Sequence, residues 1–256
     1  CSVENTRWPV IEALMAMSAA PSANSMKPLL CFAEKGIPYE SHYIDLHNFE
    51  QHSEAFVALN PNGQVPVLIH DGAVITESTV INEYLDEVFP KKRLVSKDPV
   101  ARARMRIWNK FVDEYFCPAL SRIGWSIIIP QIAARLKSGE LEEALKKVPL
   151  EEQRRKWRTA ATESFTPAEL AEARRQVGVS IERMEKILQD SKWLAGDEYS
   201  LADVNSYSMV AGVPRLMPEA MSEEKTPRAM DWLKRMNARP AVQAALATSR
   251  MPKPGH

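Results

Sequence analysis

The chain has little of several things. It has no excess charge of either sign: its 256 residues carry 33 basic and 33 acidic side chains. A duplex-binding protein carries a basic stripe, so bulk nucleic-acid binding is not expected. Cysteine is scarce, with only Cys1, Cys31 and Cys117. Three cysteines make no disulfide framework, and their spacing is neither CxxC nor that of a metal site. A reducing compartment, the cytoplasm, is expected. Cys31 and Cys117 fall in apolar helical patterns and are read as core-filling. Long apolar runs are missing too. The longest near the middle, Ser126 to Ala134, is interrupted by Pro130 and Gln131, too short to cross a bilayer. No signal peptide is visible. The opening Cys1 fits a lipidated mature terminus or a trimmed start, and the second is the plainer expectation.

What is present divides in two. Val10 to Met17 reads as a first strand, and residues 18–25 as a loop of small residues. A helix follows with Pro28 in its first turn, Gly36 just past its end and Pro38 as its stop. Tyr39 to Asp45 alternates like a strand, and Glu50 to Leu59 has helical spacing. Val65 to Ile69 is a strand, Asp71-Gly72 a hairpin turn, and Val74-Ile75 the return. Thr76 to Val88 is helical, with Val80, Ile81, Tyr84 and Leu85 on one face. The order β-α-β-α-β-β-α combines a parallel crossover with a hairpin.

Residues 89–97, with Lys91, Lys92 and Arg93, read as a solvated linker. Everything afterwards is helical in character. Asp98-Pro99 is a helix start. Trp108, Phe111, Val112 and Tyr115 form an inward stripe, as do Val177, Ile181, Met184 and Leu188. Residues 135–175 are dense in both charges, with Trp157 and Phe165 as isolated aromatics, and read as exposed helices. Ser200 to Asp203 is a capping box. A helix over 227–237 is broken by Pro240, and a short last helix follows.

The sharpest chemical signal is Gln64-Val65-Pro66 with Glu77-Ser78. A cis bond before Pro66 would turn the Val65 backbone outward, toward an extended peptide ligand. The helix start at Glu77-Ser78 offers unpaired N–H groups and a favourable field to a carboxylate. The Glu77 carboxylate can hold an ammonium. Together these groups would clamp an α-amino acid end. An ordinary helix start with an exposed acid is the competing reading.

The whole chain resembles the cytosolic glutathione transferases. Asn60 to Leu68 and Thr76 to Ile81 are similar to that family's glutathione-binding segments. Within the family it looks most like the bacterial glutathione-dependent β-etherases of lignin breakdown, and among them the branch acting on one β-stereoisomer. Ala23 to Pro28, Phe49 to His52, His70 to Gly72, Trp108 to Cys117, Ile123 to Trp125, Lys156 to Arg158 and Tyr199 to Asp203 carry this likeness.

The resemblance implies an α/β thioredoxin-like N-terminal domain over 1–90 and an all-α C-terminal domain over 98–256. It implies glutathione as cosubstrate. Val65 and Pro66 would present backbone to its cysteinyl residue, and Glu77 and Ser78 would hold its γ-glutamyl end. Gln64, helped by His52, would reach the glycyl carboxylate. Ser25 and Asn24 would contact the thiol, with Ser22 as a competitor. Many relatives use Tyr at the first strand or Cys in this loop. This chain has neither in the loop, which disfavours mixed-disulfide chemistry. Trp125, Tyr115, Phe116, Tyr207 and Met209 are candidates to line the aromatic site between the domains. The implied reaction is thiolate substitution at the β-carbon of an α-keto aryl ether, without a metal. A homodimer is expected, with a heterodimer of related chains as the alternative. Two other functions stay open: a generalist transferase, and a non-catalytic glutathione-fold binding protein.

Overall fold

A computed structural model describes residues 15–18 and 22–249. Cys1, the start of the expected first strand and the polar tail lie outside the described residues. The α/β part comprises β1 (Met15–Ser18), α1 (Ala23–Lys35), β2 (Glu40–Tyr43), α2 (Glu54–Leu59), β3 (Val67–His70), β4 (Ala73–Thr76) and α3 (Ser78–Val88). The sheet order is β2-β1-β3-β4. β1 pairs parallel to β2, whereas β1–β3 and β3–β4 are antiparallel. This is the expected crossover plus hairpin.

Three details differ from the sequence expectation. First, Pro28 is the sixth residue of α1, whose N-cap is Ser22. The helix therefore begins where a loop was expected, and it dispenses with the backbone bond that Pro28 cannot donate. Asn24 and Ser25 consequently lie in its first turn. Gly36 closes α1 in the left-handed region, with its N–H on the Phe32 carbonyl. Second, the stretch from Glu50 breaks into a 3₁₀ turn at Glu50–His52 and then α2, because Ser53 stops the first and caps the second. Third, both the Tyr39 strand and the Val65 strand are shorter than expected.

The helical part runs α4 (Pro99–Phe111), α5 (Cys117–Ala133), α6 (Glu140–Lys146), α7 (Glu151–Arg158), α8 (Pro167–Asp190), α9 (Leu201–Val210), α10 (Val213–Leu216), α11 (Pro227–Asn237) and α12 (Pro240–Ser249). A π-helical turn at Val112–Phe116 joins α4 to α5. It inserts a residue into the helical register. Trp108, Val112, Phe116, Ala119 and Ile123 become the buried row, and Tyr115 is turned out of it. Val177, Ile181, Met184 and Leu188 of α8 are all buried.

The main core spans both parts: Leu29, Leu30 and Phe32 of α1 pack with Trp108, Tyr207 and Trp232. Buried polar groups link the elements. Lys27 on α1 is fully buried and donates to Asp113 at 2.7 Å. Asp86 on α3 receives Lys35 Nζ and the Leu94 amide, each at 2.7 Å. Asp203, in a complete capping box with Ser200, accepts the Trp232 indole N–H at 2.8 Å and the Leu194 amide at 3.1 Å. Residues 135–175 are not merely exposed. Leu145, Val148, Trp157, Ala160 and Phe165 are buried with Ile129, Ile132 and Phe49 in a second apolar cluster. Among the described residues no helix is long and apolar enough to cross a membrane.

Candidate functional site

The site begins at the N-terminus of α1. The Ser22 side chain accepts the Ser25 amide at 3.3 Å, which leaves its own O–H to donate. Two residues on, the Asn24 carboxamide oxygen accepts from Cys117 Sγ at 3.8 Å. Its carboxamide N–H groups are donors. The partial positive charge of the helix end adds to both, and favours an anion there.

Across from this turn, the Val65–Pro66 bond is cis. The Gln64 carbonyl is held by the Asn60 carboxamide at 2.7 Å. Glu77 precedes α3 with φ of 67°, and its side chain does not cap the helix. The first N–H groups of α3 thus remain for a ligand. Asn24, Asn60, Gln64, Val65, Pro66, Glu77 and Ser78 enclose a small recess of about 30 Å³. All five clamp residues outside the thiol contact, apart from His52, therefore meet at one place.

A much larger cavity of about 880 Å³ shares Asn24, Gln64 and Val65 with that recess. On one side stand Ser22, Asn24, Gln51 and His52. On the other stand Ser121, Arg122, Trp125 and Ile129 of α5, and Lys156 and Trp157 of α7. Phe49 from the α/β part meets Trp157 at 4.8 Å between ring centroids, and Trp157 meets the edge of Trp125 at 5.1 Å. The Lys156 ammonium sits 4.2 Å from the Trp125 ring centroid and donates to Ser121 Oγ at 3.1 Å.

Burial shifts the titrations here. Desolvation lowers the His52 imidazole to about 4, so it is neutral at pH 7. Neither of its ring nitrogens has a partner among the described residues. Desolvation also lowers the Lys156 ammonium, with Cys117 opposing and Arg122 adding to the effect. Burial raises the Cys117 thiol, more than the neighbouring Lys27 lowers it. Cys31 is buried in α1 and its thiol is pushed far up by desolvation. Neither cysteine is a thiolate nucleophile.

Not every residue singled out from sequence lies on the cavity. Trp125 does. Phe116, Tyr207 and Met209 are buried in the main core, at 1 %, 3 % and 1 % exposure. The π-helical turn carries Phe116 inward, and the Tyr207 hydroxyl is spent on Asn237 at 2.9 Å. Tyr115 stacks on Phe111 and bonds Arg175. None of these four lines the cavity. Ser25, in the first turn of α1, is completely buried and lies off the cavity surface, while Ser22 and Asn24 line it. Lys156, Ser121, Arg122 and Trp157 line the cavity without being among the site candidates read from the sequence. The clue was Trp157 flanked by Lys156 and Arg158 in a charged stretch.

Comparison with known proteins fits this geometry. Residues 21–88 match the family "Glutathione S-transferase, N-terminal domain" and residues 116–240 match "Glutathione S-transferase, C-terminal domain". The chain belongs to the glutathione S-transferase family. Like other members, it pairs a thioredoxin-like α/β domain with an all-helical one. It is 45% identical to Protein LigF of Sphingobium sp. over 93% of this chain and 94% of that protein. The crystal structure of the β-etherase LigF from Sphingobium superposes with a TM-score of 0.88, covering 92% of this chain and 99% of that one. Glutathione transferase F7 from Populus trichocarpa, at 22% identity, shares the fold with a TM-score of 0.73, covering 93% of this chain and 100% of that one.

Proposed function

We propose that this glutathione S-transferase is a β-etherase. It uses glutathione as cosubstrate to cleave β-aryl ethers of lignin-derived α-keto aromatics, releasing a phenol and a glutathione thioether. One observation carries the reading. A single cavity joins the Asn24–Val65 side of the α/β part to the aromatic wall of Trp125 and Trp157. Its continuity with the recess at Ser78 lets a tripeptide and a β-aryl ether ketone meet end to end. The identity with LigF over nearly the whole chain supports the same reading.

The residues divide the work. Glu77, Ser78 and the N-terminus of α3 take the amino-acid end of glutathione. Val65 and Pro66 present backbone to its middle, and Gln64 and His52 lie toward its glycyl end. The thiol belongs at the α1 N-terminus, against the Ser22 hydroxyl and the Asn24 carboxamide. Their donors and the helix field favour thiolate over thiol. The sulfur then attacks the β-carbon, made open to attack by the adjacent ketone, and phenolate departs. Holding thiolate and C–O bond in line is most of the catalysis.

Residues 1–90 form the glutathione half and 98–256 the substrate half. A cytoplasmic location suits free thiols and a glutathione requirement. The homodimer, or a heterodimer with a related chain, is supported by exposed Val80, Val100 and Ile107 on α3 and α4. Those helices are joined by the Arg106–Glu83 pair at 2.8 Å.

The decisive assay is glutathione-dependent phenol release from each enantiomer of a β-aryl ether ketone. One enantiomer is expected to react, and no release from either rejects the proposal. Ser22→Ala and Asn24→Ala are each expected to lower kcat/KM. Ser25→Ala, away from the cavity, is expected to act on stability instead.

A further inference from the structure

Thiolate substitution leaves a charge problem that the glutathione half does not address. The departing phenolate has an oxygen whose conjugate acid has a pKa of about 10 in simple phenols. Expelling it uncovered against the indole faces of Trp125 and Trp157 is costly. A donor aimed at the ether oxygen would remove that cost.

The aromatic wall holds one suitable donor. Lys156 projects from α7 into the cavity, over the face of Trp125 at 4.2 Å and onto Ser121 Oγ at 3.1 Å. Ser121 occupies one of its three N–H bonds, so others remain for a ligand. It is near the thiol end as well: its charge acts on Cys117, whose Sγ donates to Asn24 Oδ1. The other polar groups of the cavity fit the task less well. Arg122 and Arg155 are permanently charged and do not release a proton. Glu152 and Glu169 are exposed carboxylates, and His47 is exposed to water. His52 is neutral at pH 7.

We propose that Lys156 is the general acid of the reaction, delivering a proton to the departing phenolate oxygen. The inference rests on the β-etherase reading. The C–S bond forms as the C–O bond breaks. The electron pair stays on the phenolic oxygen, which takes a proton from the Lys156 ammonium and leaves as a phenol. The neutral amine then accepts the proton that the next glutathione thiol must lose. The thiol proton thus ends on the phenol, and no outside acid or base enters the cycle. Burial supports the assignment, since desolvation disfavours the ammonium and makes it a readier proton donor than a solvated lysine.

The test compares leaving groups. Wild type and Lys156→Gln are assayed with glutathione on two ketones, one carrying an unsubstituted β-phenoxy group and one a β-(4-nitrophenoxy) group. Nitrophenolate departs without protonation. Lys156→Gln is expected to lose about 100-fold or more in kcat/KM on the phenoxy ether and less than about tenfold on the nitrophenoxy ether. The nitrophenoxy rate also reports that the variant is folded. Lys156→Arg keeps the charge and the ring contact without a transferable proton, and is expected to show the same discrimination. Equal losses on both ethers, or full phenoxy activity in Lys156→Arg, overturns the proposal. Release of neither phenol by wild type instead rejects the β-etherase reading itself.

Discussion

His52 makes the site sensitive to acid in a way that can be measured without any substrate. Its imidazole is buried at 4 % exposure and its pKa is held down to about 4 by desolvation. In the unfolded chain it titrates near 6.5. Between those values the unfolded state binds a proton that the native state refuses. The folded pKa is depressed, so native stability falls as pH falls from about 6.5 toward about 4. Between pH 7 and pH 5, linkage with these two pKa values gives a loss of about 2 kcal/mol. Asp203 works the other way. Burial raises it to about 6 despite its hydrogen bonds, so its contribution grows as pH falls through the same range. The His52 share is therefore isolated by difference. Urea unfolding of wild type and His52→Gln at pH 7 and pH 5 gives four free energies. The wild type should lose about 2 kcal/mol more than the variant between the two pH values. Equal losses would refute the claim that this imidazole is kept neutral by burial. Saturating glutathione should shrink the difference, because a ligand carboxylate beside His52 restores a partner for its charged form.

Three further outcomes follow from the same geometry. Gly63 has φ of 60°, and a Cβ there would sit 2.5 Å from His52 Nδ1. Gly63→Ala should cost about 2–3 kcal/mol by urea midpoint, and weaken glutathione binding through the displaced imidazole. A change within roughly 0.5 kcal/mol would show that the ring yields freely. Asp203→Ala orphans the Ser200 and Leu194 amides and the Trp232 indole N–H, and thermal unfolding should register about 3–5 kcal/mol. Trp125→Ala removes one wall of the cavity and the ring beneath Lys156. It should lower kcat/KM on the aryl ether by about tenfold or more while glutathione affinity is kept, as read by calorimetry.

How far the sequence can be read depends on how local each signal is. The hairpin at Asp71-Gly72, the stop at Gly36 and the capping box at Ser200 depend on residues a few positions apart, and all three form as expected. The recess at Gln64, Val65, Glu77 and Ser78 was legible for the same reason: each half is a strand or helix start with its own chemistry. The α1 start was hidden by Pro28, which ordinarily marks a first turn but here stands inside the helix. With the helix starting earlier, Ser22 caps α1 and lines the cavity, while Ser25 is buried in the first turn. Tyr115 and Phe116 lie off the cavity because of register. A 3.6-residue period carried past Val112 points Tyr115 inward, and the inserted residue of the π-helical turn sends Phe116 there instead.

The substrate wall was hardest to see because its physics is not local. Lys156 and Trp157 stand among charges, and a lysine in such a stretch is ordinarily solvated. Trp157 is buried against Phe49, more than a hundred positions earlier, at 4.8 Å between ring centroids, and Lys156 lies half-buried over Trp125. Phe49 reaches that place with φ of 57°, between two 3₁₀ turns of the α/β part. The contact ties the α/β part to α7, and Phe49 also lies 6.2 Å from the His52 ring, so repacking of α7 should reach His52. Changes of aryl substrate should therefore be sought in α5 and α7. Substitutions at Trp125 or Ile128 reshape the wall itself. Substitutions at Trp157 should alter substrate choice and glutathione affinity together, because that indole supports both.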